Sequence, residues 1–413
     1  MLSVSVWRAT LGVDAKTVVE AVDYDEVAEA IVASVRPRRA TKRRCGRCGA
    51  RAAGYDRGEG RRRWRALDLG PTRCYLEAEA VRVHCPEHGV VAAQVPWAAH
   101  GARHTTGFEV LVAWLVVRMN KSAVKELLRV SWETVGAIVD RVVARDRARV
   151  DPFDGLVRIG IDEISYKKGH RYLMVAVDHG SGRLVWAKAG HDRATLRAFF
   201  DQVGVERCAR IRLVSCDAAE WIAEEARANC PGVIVCIDPF HVAKWAGDAL
   251  DVVRRSTWND ARKNGMTAEA RQLKGARYAL WRNPEDLSER QRAKLSWIKK
   301  ANEPLYRAYL LKEQLRQILH VKHERAIDML TEWCGWASRS RLPAFVDLAR
   351  RIRKNHAGIL NALLNRLSNG LVESTNTKIR VLTRIAYGFT NTDHLIALAL
   401  LDRGGHCPES PRQ

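Results

Sequence analysis

The sequence predicts an α/β fold with a helical insertion, preceded by a metal-knuckle module and a short helical domain. Three observations carry that expectation. Past residue 156 the hydrophobic period becomes strand-like and runs strand, hairpin, helix, strand, helix, strand. Two short Cys/His turns, CGRC and CPEH, precede that region. A long run of helical pattern then separates the last strand from a basic segment, SNGLVESTNTKIRVLTRIAYGF, that carries a single carboxylate, Glu373.

Composition narrows the function classes. Lys and Arg number 69 against 47 Asp and Glu, a net charge of +22 over 413 residues. That balance points to a polyanionic partner, nucleic acid ahead of an acidic membrane surface. No apolar run reaches the roughly 18 residues of a membrane span, and VLVAWLVVRM ends at Arg118. The N-terminus lacks the basic start and apolar stretch of a secretory signal. Ten scattered cysteines suit a reducing cytoplasm and leave clustered pairs for metal.

Residues 1–40 read as a short strand, VSVWRATLG, then a helix, DYDEVAEAIVASV. Residues 41–100 are too poor in apolar side chains to pack alone. Zinc is the expected organiser: Cys45 and Cys48 on one turn, Cys85 and His88 on the other, supply four N/S donors for a closed, structural tetrahedral site. Cys74 is the weaker ligand candidate. Arg61, Arg62, Arg63 and Arg65, around Trp64, are offered to phosphates. Residues 101–150 hold three helices, TTGFEVLVAWLVVRM, one started by Ser122, and one capped by Ser131 with Glu133 in its first turn. The tight junction RVSWET is a helix-turn-helix pattern, also compatible with a plain bundle. In the former, the third helix enters the major groove by Ser131, Trp132 and Thr134.

Residues 151–241 then give LVRIGIDEISY as a strand, RYLMVAVDHGSGRLVWAKAG as a hairpin, RATLRAFFDQVG as a helix, a strand ending at Asp217, a helix, and a strand ending at Asp238. Antiparallel strands followed by parallel ones crossed by helices is the order of an RNase H-like sheet. In it the first and fourth strands are neighbours, so Asp162 and Asp217 approach each other at the carboxyl ends, where ligands gather. Magnesium or manganese takes oxygen ligands, and a pair of ions clamps both oxygens of an in-line phosphoryl transfer. Glu373 would complete the ligand set from a helix, with Lys378, Arg380 and Arg384 toward the DNA backbone and Asn376 orienting Glu373 from one turn away. Each acid has an ordinary alternative: Glu163 as the ligand in place of Asp162, Asp217 as a helix N-cap, Glu373 as a favourable first-turn charge.

At these residues the chain resembles the transposases of the bacterial ISL-three insertion-sequence family. GIDEISYKKGHRYLMVAVD, CDAAEWI, IDPFHV and NGLVESTNTKIRVLTRIAYGF are similar to that family's blocks in order, and the Cys/His and helical modules resemble its zinc- and DNA-binding parts. The likeness runs from about residue 40 to 402 and implies an RNase H-like DDE domain made of 151–241 and 345–402, interrupted by a helical insertion at 242–344, with a tail at 403–413. It implies Asp162, Asp217 and Glu373 as the catalytic triad, with Asp238 and His241 of DPFH in support, or Asp238 as the second metal ligand if the strand register shifts. The expected function is a DNA transposase that binds terminal inverted repeats and carries out metal-dependent cleavage and strand transfer. It would work as a homodimer or larger on double-stranded DNA, at the nucleoid of a bacterial cytoplasm. A non-catalytic DNA-binding regulator and a structure-specific nuclease of the same fold are the rivals.

Overall fold

The computed structural model describes residues 4–321 and 324–409. The last four residues of the expected tail lie outside them. Contacts divide the chain into two compact units, Met1–Val150 with Ile385–Gln413, and Asp151–Arg384.

The first unit opens with helix α1 (Val4–Thr10) and strands β1 (Thr17–Asp25) and β2 (Ala30–Pro37). Both expectations for residues 1–40 are therefore reversed: VSVWRATLG is helical, and DYDEVAEAIVASV makes a turn and a strand. The Val and Ala spacing there fits either period, and tertiary pairing decides between them. After β3 (Ala53–Asp56), β4 (Arg61–Leu69) and β5 (Thr72–Glu79), a four-stranded sheet forms in the order β1-β2-β5-β4. Its buried face carries Val19, Ala33, Val35, Trp64 and Leu76, and Trp97 from beyond the sheet joins the same core. So β4 and β5, expected inside the zinc module, are organised by this sheet. Strands β6 (Arg82–Cys85) and β7 (Gly89–Ala92) pair with β3 in a separate three-stranded ribbon, β3-β6-β7.

Helices α2 (Thr106–Val116), α3 (Lys121–Leu128) and α4 (Trp132–Arg147) follow. The second begins one residue earlier than Ser122 because Asn120 takes the cap, accepting from the Ala123 amide at 2.7 Å. The expected Ser131 cap forms, accepting from the Thr134 amide at 3.2 Å. The α3–α4 junction turns at Arg129, which has φ +54°. Fully buried Glu109 of α2 ties α4 down through Arg141 at 2.8 Å and Arg145 at 3.3 Å, the pairing a buried carboxylate requires.

The second unit is built on β8 (Arg158–Lys167), β9 (Arg171–Asp178), β10 (Leu184–Ala189), α5 (Arg193–Val203), α6 (Val205–Cys208), β11 (Leu213–Cys216), α7 (Glu220–Asn229) and β12 (Ile234–Ile237). The sheet order is β10-β9-β8-β11-β12. The first three strands pair antiparallel, and β8, β11 and β12 pair parallel. This is the expected RNase H-like arrangement, with β8 and β11 adjacent. One face is filled by Ile159, Ile161, Met174, Phe199, Val214 and Ile222. The insertion is all helical, α8 (Pro239–Lys263), α9 (Thr267–Lys274), α10 (Arg277–Trp281), α11 (Glu289–Ala301), α12 (Glu303–Ile318), α13 (Arg325–Ser338) and α14 (Pro343–Lys354). Its core centres on Trp333, whose Nε1 donates to the Leu311 carbonyl at 2.9 Å. Helix α15 (His356–Leu364) returns to the sheet, where Asn361 donates to the Val235 carbonyl at 3.0 Å.

Helix α16 (Gly370–Ile385) carries Glu373, and α17 (Thr392–Arg403) closes the chain. The expectation grouped 345–402 with the sheet, whereas α17 packs on α4 within the first unit. His394 meets Asp140 at 3.1 Å. No helix among the described residues is long and apolar enough to cross a membrane.

Candidate active site

Strand register brings the aspartates into a row. Gly160 of β8 lies opposite Ser215 of β11, and Ser215 lies opposite Cys236 of β12. Two residues further along each strand stand Asp162, Asp217 and Asp238. In parallel strands that advance in step, three residues at one level on adjacent strands share one face of the sheet end. Helix α16 is tied to the same sheet end, since Asn369 just before it donates to Asp238 at 3.2 Å and Asn376 on it donates to Asp162 at 2.8 Å, with Glu373 between them in the chain.

The acids differ in their surroundings. Asp238 is 1% exposed and fully engaged. It caps α8 by accepting from the Phe240 amide at 3.3 Å, accepts from the Asn369 amide at 3.2 Å, and meets His241 Nδ1 at 3.2 Å. Asp162, Asp217 and Glu373 are half-buried. Asp162 accepts from the Glu163 amide at 2.8 Å and from Asn376 Nδ2 at 2.8 Å. Asn376 thus orients Asp162, where the sequence pointed to Glu373. Asp217 accepts from the Ala219 amide at 2.9 Å in the turn before α7; the N-cap position itself is Ala219, with no side-chain cap, so the expected alternative of Asp217 as the N-cap of that helix is not what forms.

Electrostatics reflect the crowding. Burial pushes the Asp162 carboxyl above its usual range, and Asp217 and Asp238 repel in the same direction. Burial, then the Asp238 charge, does the same to Glu373. Glu163 is pushed up to about 7 by burial and by Asp217. The hydrogen bond to Asp238 raises His241. Among the described residues no three of these side chains bring ligand atoms within 4.8 Å of one another; only the Cys/His set does. Buried Asn376 Oδ1, beside Asp162, meets no donor, as an oxygen left free for a cation or its water would.

The zinc ligands converge as expected. Cys45 Sγ is 3.9 Å from His88 Nδ1, Cys48 Sγ 3.8 Å from Cys85 Sγ, and Cys85 Sγ 3.7 Å from His88 Nδ1. Ligand–metal bonds of roughly 2.0–2.3 Å put tetrahedral partners about 3.3–3.8 Å apart, so the donor set fits zinc. Cys74 is excluded from it: the thiol is buried in the sheet core, and burial pushes it up to about 11.

The candidate DNA contacts separate. Arg65 is 6% exposed and ion-paired to Asp68 at 2.5 Å, which corrects its assignment to phosphates. Arg61 and Arg63 share Glu77 at 2.7 and 2.9 Å. Arg62 lies over Trp64 with its centre 5.2 Å from the ring and donates to the Ala102 carbonyl at 2.7 Å. Trp132 is 41% exposed at the start of α4, with Lys121 Nζ 3.3 Å above its ring. Thr134 is half-buried and meets Ser131 Oγ through its own hydroxyl at 3.0 Å. Arg380 and Arg384 are exposed on α16 and Lys378 is half-buried. Sequence reasoning missed Ser215, His179 and Asn369, which lie under the row; a polar residue inside an apolar strand, SCD, was the available signal.

Three family models match this chain. A transposase model covers residues 159–399, a helix-turn-helix domain of transposase family ISL3 covers 93–143, and a zinc-finger of transposase IS204/IS1001/IS1096/IS1165 covers 41–88. The transposase for insertion sequence element IS1557 of Mycobacterium tuberculosis, in strains CDC 1551 / Oshkosh and H37Rv alike, is 54% identical over 434 residues, spanning 100% of this chain and 98% of the relative. The transposase for insertion sequence element IS1001 of Bordetella parapertussis is 28% identical over 353 residues, spanning 85% and 86%.

Proposed function

This chain belongs to the ISL3 family of transposases and is a DNA transposase, and from that premise we propose how its residues divide the work. Asp162, Asp217 and Glu373 form the catalytic carboxylate set and would hold Mg2+ or Mn2+ with the DNA. Divalent ions there supply Lewis-acid stabilisation of charge on the attacked phosphate and a more acidic water. Asn376 fixes the rotamer of Asp162. Asp238, with both oxygens engaged, and His241 brace the site. Catalysis rests on alignment and electrostatics, with no covalent enzyme intermediate. Lys378, Arg380 and Arg384 neutralise backbone phosphates beside the cut. The zinc ribbon, Arg62 and the Ser131–Thr134 end of α4 with Trp132 bind the element's terminal inverted repeats. Two ends are paired by a homodimer or larger assembly, at the nucleoid of the bacterial cytoplasm.

The row of Asp162, Asp217 and Asp238 at one level across three strands, with Glu373 arriving from α16, is the observation that supports this reading most. The test uses a duplex carrying one element end, a supercoiled target plasmid and Mg2+. Wild type cuts the end and joins it to the plasmid, while Glu373→Ala binds the end and does neither. Cutting without joining favours a nuclease. Binding without cutting by wild type favours a regulator.

A further inference from the structure

Asn369 is completely buried at the entrance to α16, and nothing in the proposed chemistry uses it. Its contacts nevertheless touch the segments that carry three of the four acids. His179 Nε2 lies 2.7 Å from Ser215 Oγ, and the Ser215 hydroxyl donates to Asn369 Oδ1. A hydroxyl has one proton, so with that proton on the Asn369 bond its oxygen accepts from His179. In that arrangement His179 Nε2 supplies the hydrogen of the bond to Ser215; burial, then the Arg158 charge, lowers the His179 pKa. From Asn369 the backbone continues the chain. Its amide donates to Asp238 Oδ1 at 3.2 Å, and its carbonyl accepts from the Glu373 amide at 2.8 Å.

The neighbouring residue types suit this relay. A Cβ on Gly160 would stand 2.8 Å from His179 Nε2, 3.1 Å from Ser215 Oγ and 2.4 Å from Val372 Cγ2, so only glycine leaves room for both the relay and α16. Asn369 Nδ2 is buried without a partner, so the side chain serves through its oxygen. An aspartate would offer that oxygen but would set a second buried charge beside Asp238. A leucine would fill the space and offer no acceptor.

Resting on the catalytic assignment of Asp217 and Glu373 above, we propose that Asn369 is a positioning residue. Through Ser215 and His179 it registers the first turn of α16 on β11 and β12, and so sets where Glu373 meets the strand-end aspartates.

The experiment compares full-length wild type, Ser215→Ala, Asn369→Leu and the double variant. It reads element-end binding, single-turnover cleavage, and the rise in Tm produced by Mg2+ alone. The expected result is unchanged end binding, cleavage slowed about 10-fold by Ser215→Ala and about 100-fold by Asn369→Leu, as a misplaced catalytic group costs, and a diminished Mg2+-dependent rise in Tm. The double variant falls no further than Asn369→Leu, because the two act through one bond. Wild-type cleavage by Asn369→Leu, losses that multiply in the double variant, or loss of end binding in step with cleavage overturns the proposal. If Glu373→Ala is inactive while Asn369→Leu is fully active, the positioning role alone fails. If Glu373→Ala cuts normally, the catalytic assignment beneath it fails.

Discussion

Single residues show how burial sorts groups of the same chemistry. Asp238 is enclosed by an α8 amide, the Asn369 amide just before α16 and His241, while Asp162 keeps a half-exposed position beside an unpartnered Asn376 oxygen. The same sorting appears at His104, stacked on Phe108 at 5.1 Å with Nδ1 buried and unpartnered. Burial, then the Arg141 and Arg65 charges, pushes it down to about 4. The folded state resists a proton that the unfolded chain takes up below about 6.5. Its contribution to stability is therefore complete above that value and is lost as pH falls through the window toward 4. His104→Phe keeps the stack and removes the proton site. The drop in Tm between pH 6.5 and pH 4 should shrink in this variant, and an unchanged drop would assign it to other groups. At this scale the sequence showed which side chains carry the chemistry but not their partners. That Asn376 turns to Asp162, or that Arg65 is sealed against Phe108, depends on contacts between segments distant in the chain.

Among the elements, the zinc ribbon has the smallest independent means of holding together. Its buried core is Cys45, Val83, Cys85 and Val91, and two of those four are zinc ligands in this account. Structural zinc contributes apparent folding free energy of about 10–16 kcal/mol in isolated fingers, far more than two valines supply at roughly 1.5–3 kcal/mol each. Removal of zinc by a chelator should release the Val83 and Val91 amides to hydrogen exchange and abolish element-end binding. The β1-β2-β5-β4 sheet, with its own core around Trp64 and Leu76, should stay protected. Ribbon amides that remain protected in zinc-free protein would show that the site is not what folds it. The zinc knuckles, the α4 cap and the β8–β12 order were legible because each is set by local spacing or a clear hydrophobic period. Strands β1 and β2 were not. EVAEAIVASV satisfies helix and strand patterns alike, and β2 becomes a strand by pairing between β1 and β5. The packing of α17 on α4 was not legible for a similar reason: α4 lies far back in the sequence.

For the whole molecule, a net charge of +22 supplies sequence-independent attraction to DNA, while the acids gather at one sheet end inside that basic chain. The two compact units divide the groups by role. The zinc ligands and the α4 N-terminus belong to one, and Asp162, Asp217, Asp238 and Glu373 to the other. On the proposed roles, binding an element end and cutting it should be separable by mutation. The most direct test is the single-turnover rate of element-end cleavage in Mg2+ by Asp162→Asn, Asp217→Asn and Glu373→Gln beside wild type, with end binding measured on the same preparations. The account predicts binding within about twofold of wild type and cleavage reduced by at least about 10³-fold in each, on the scale of about 4 kcal/mol of lost transition-state stabilisation. Wild-type cleavage by any one of the three would contradict it.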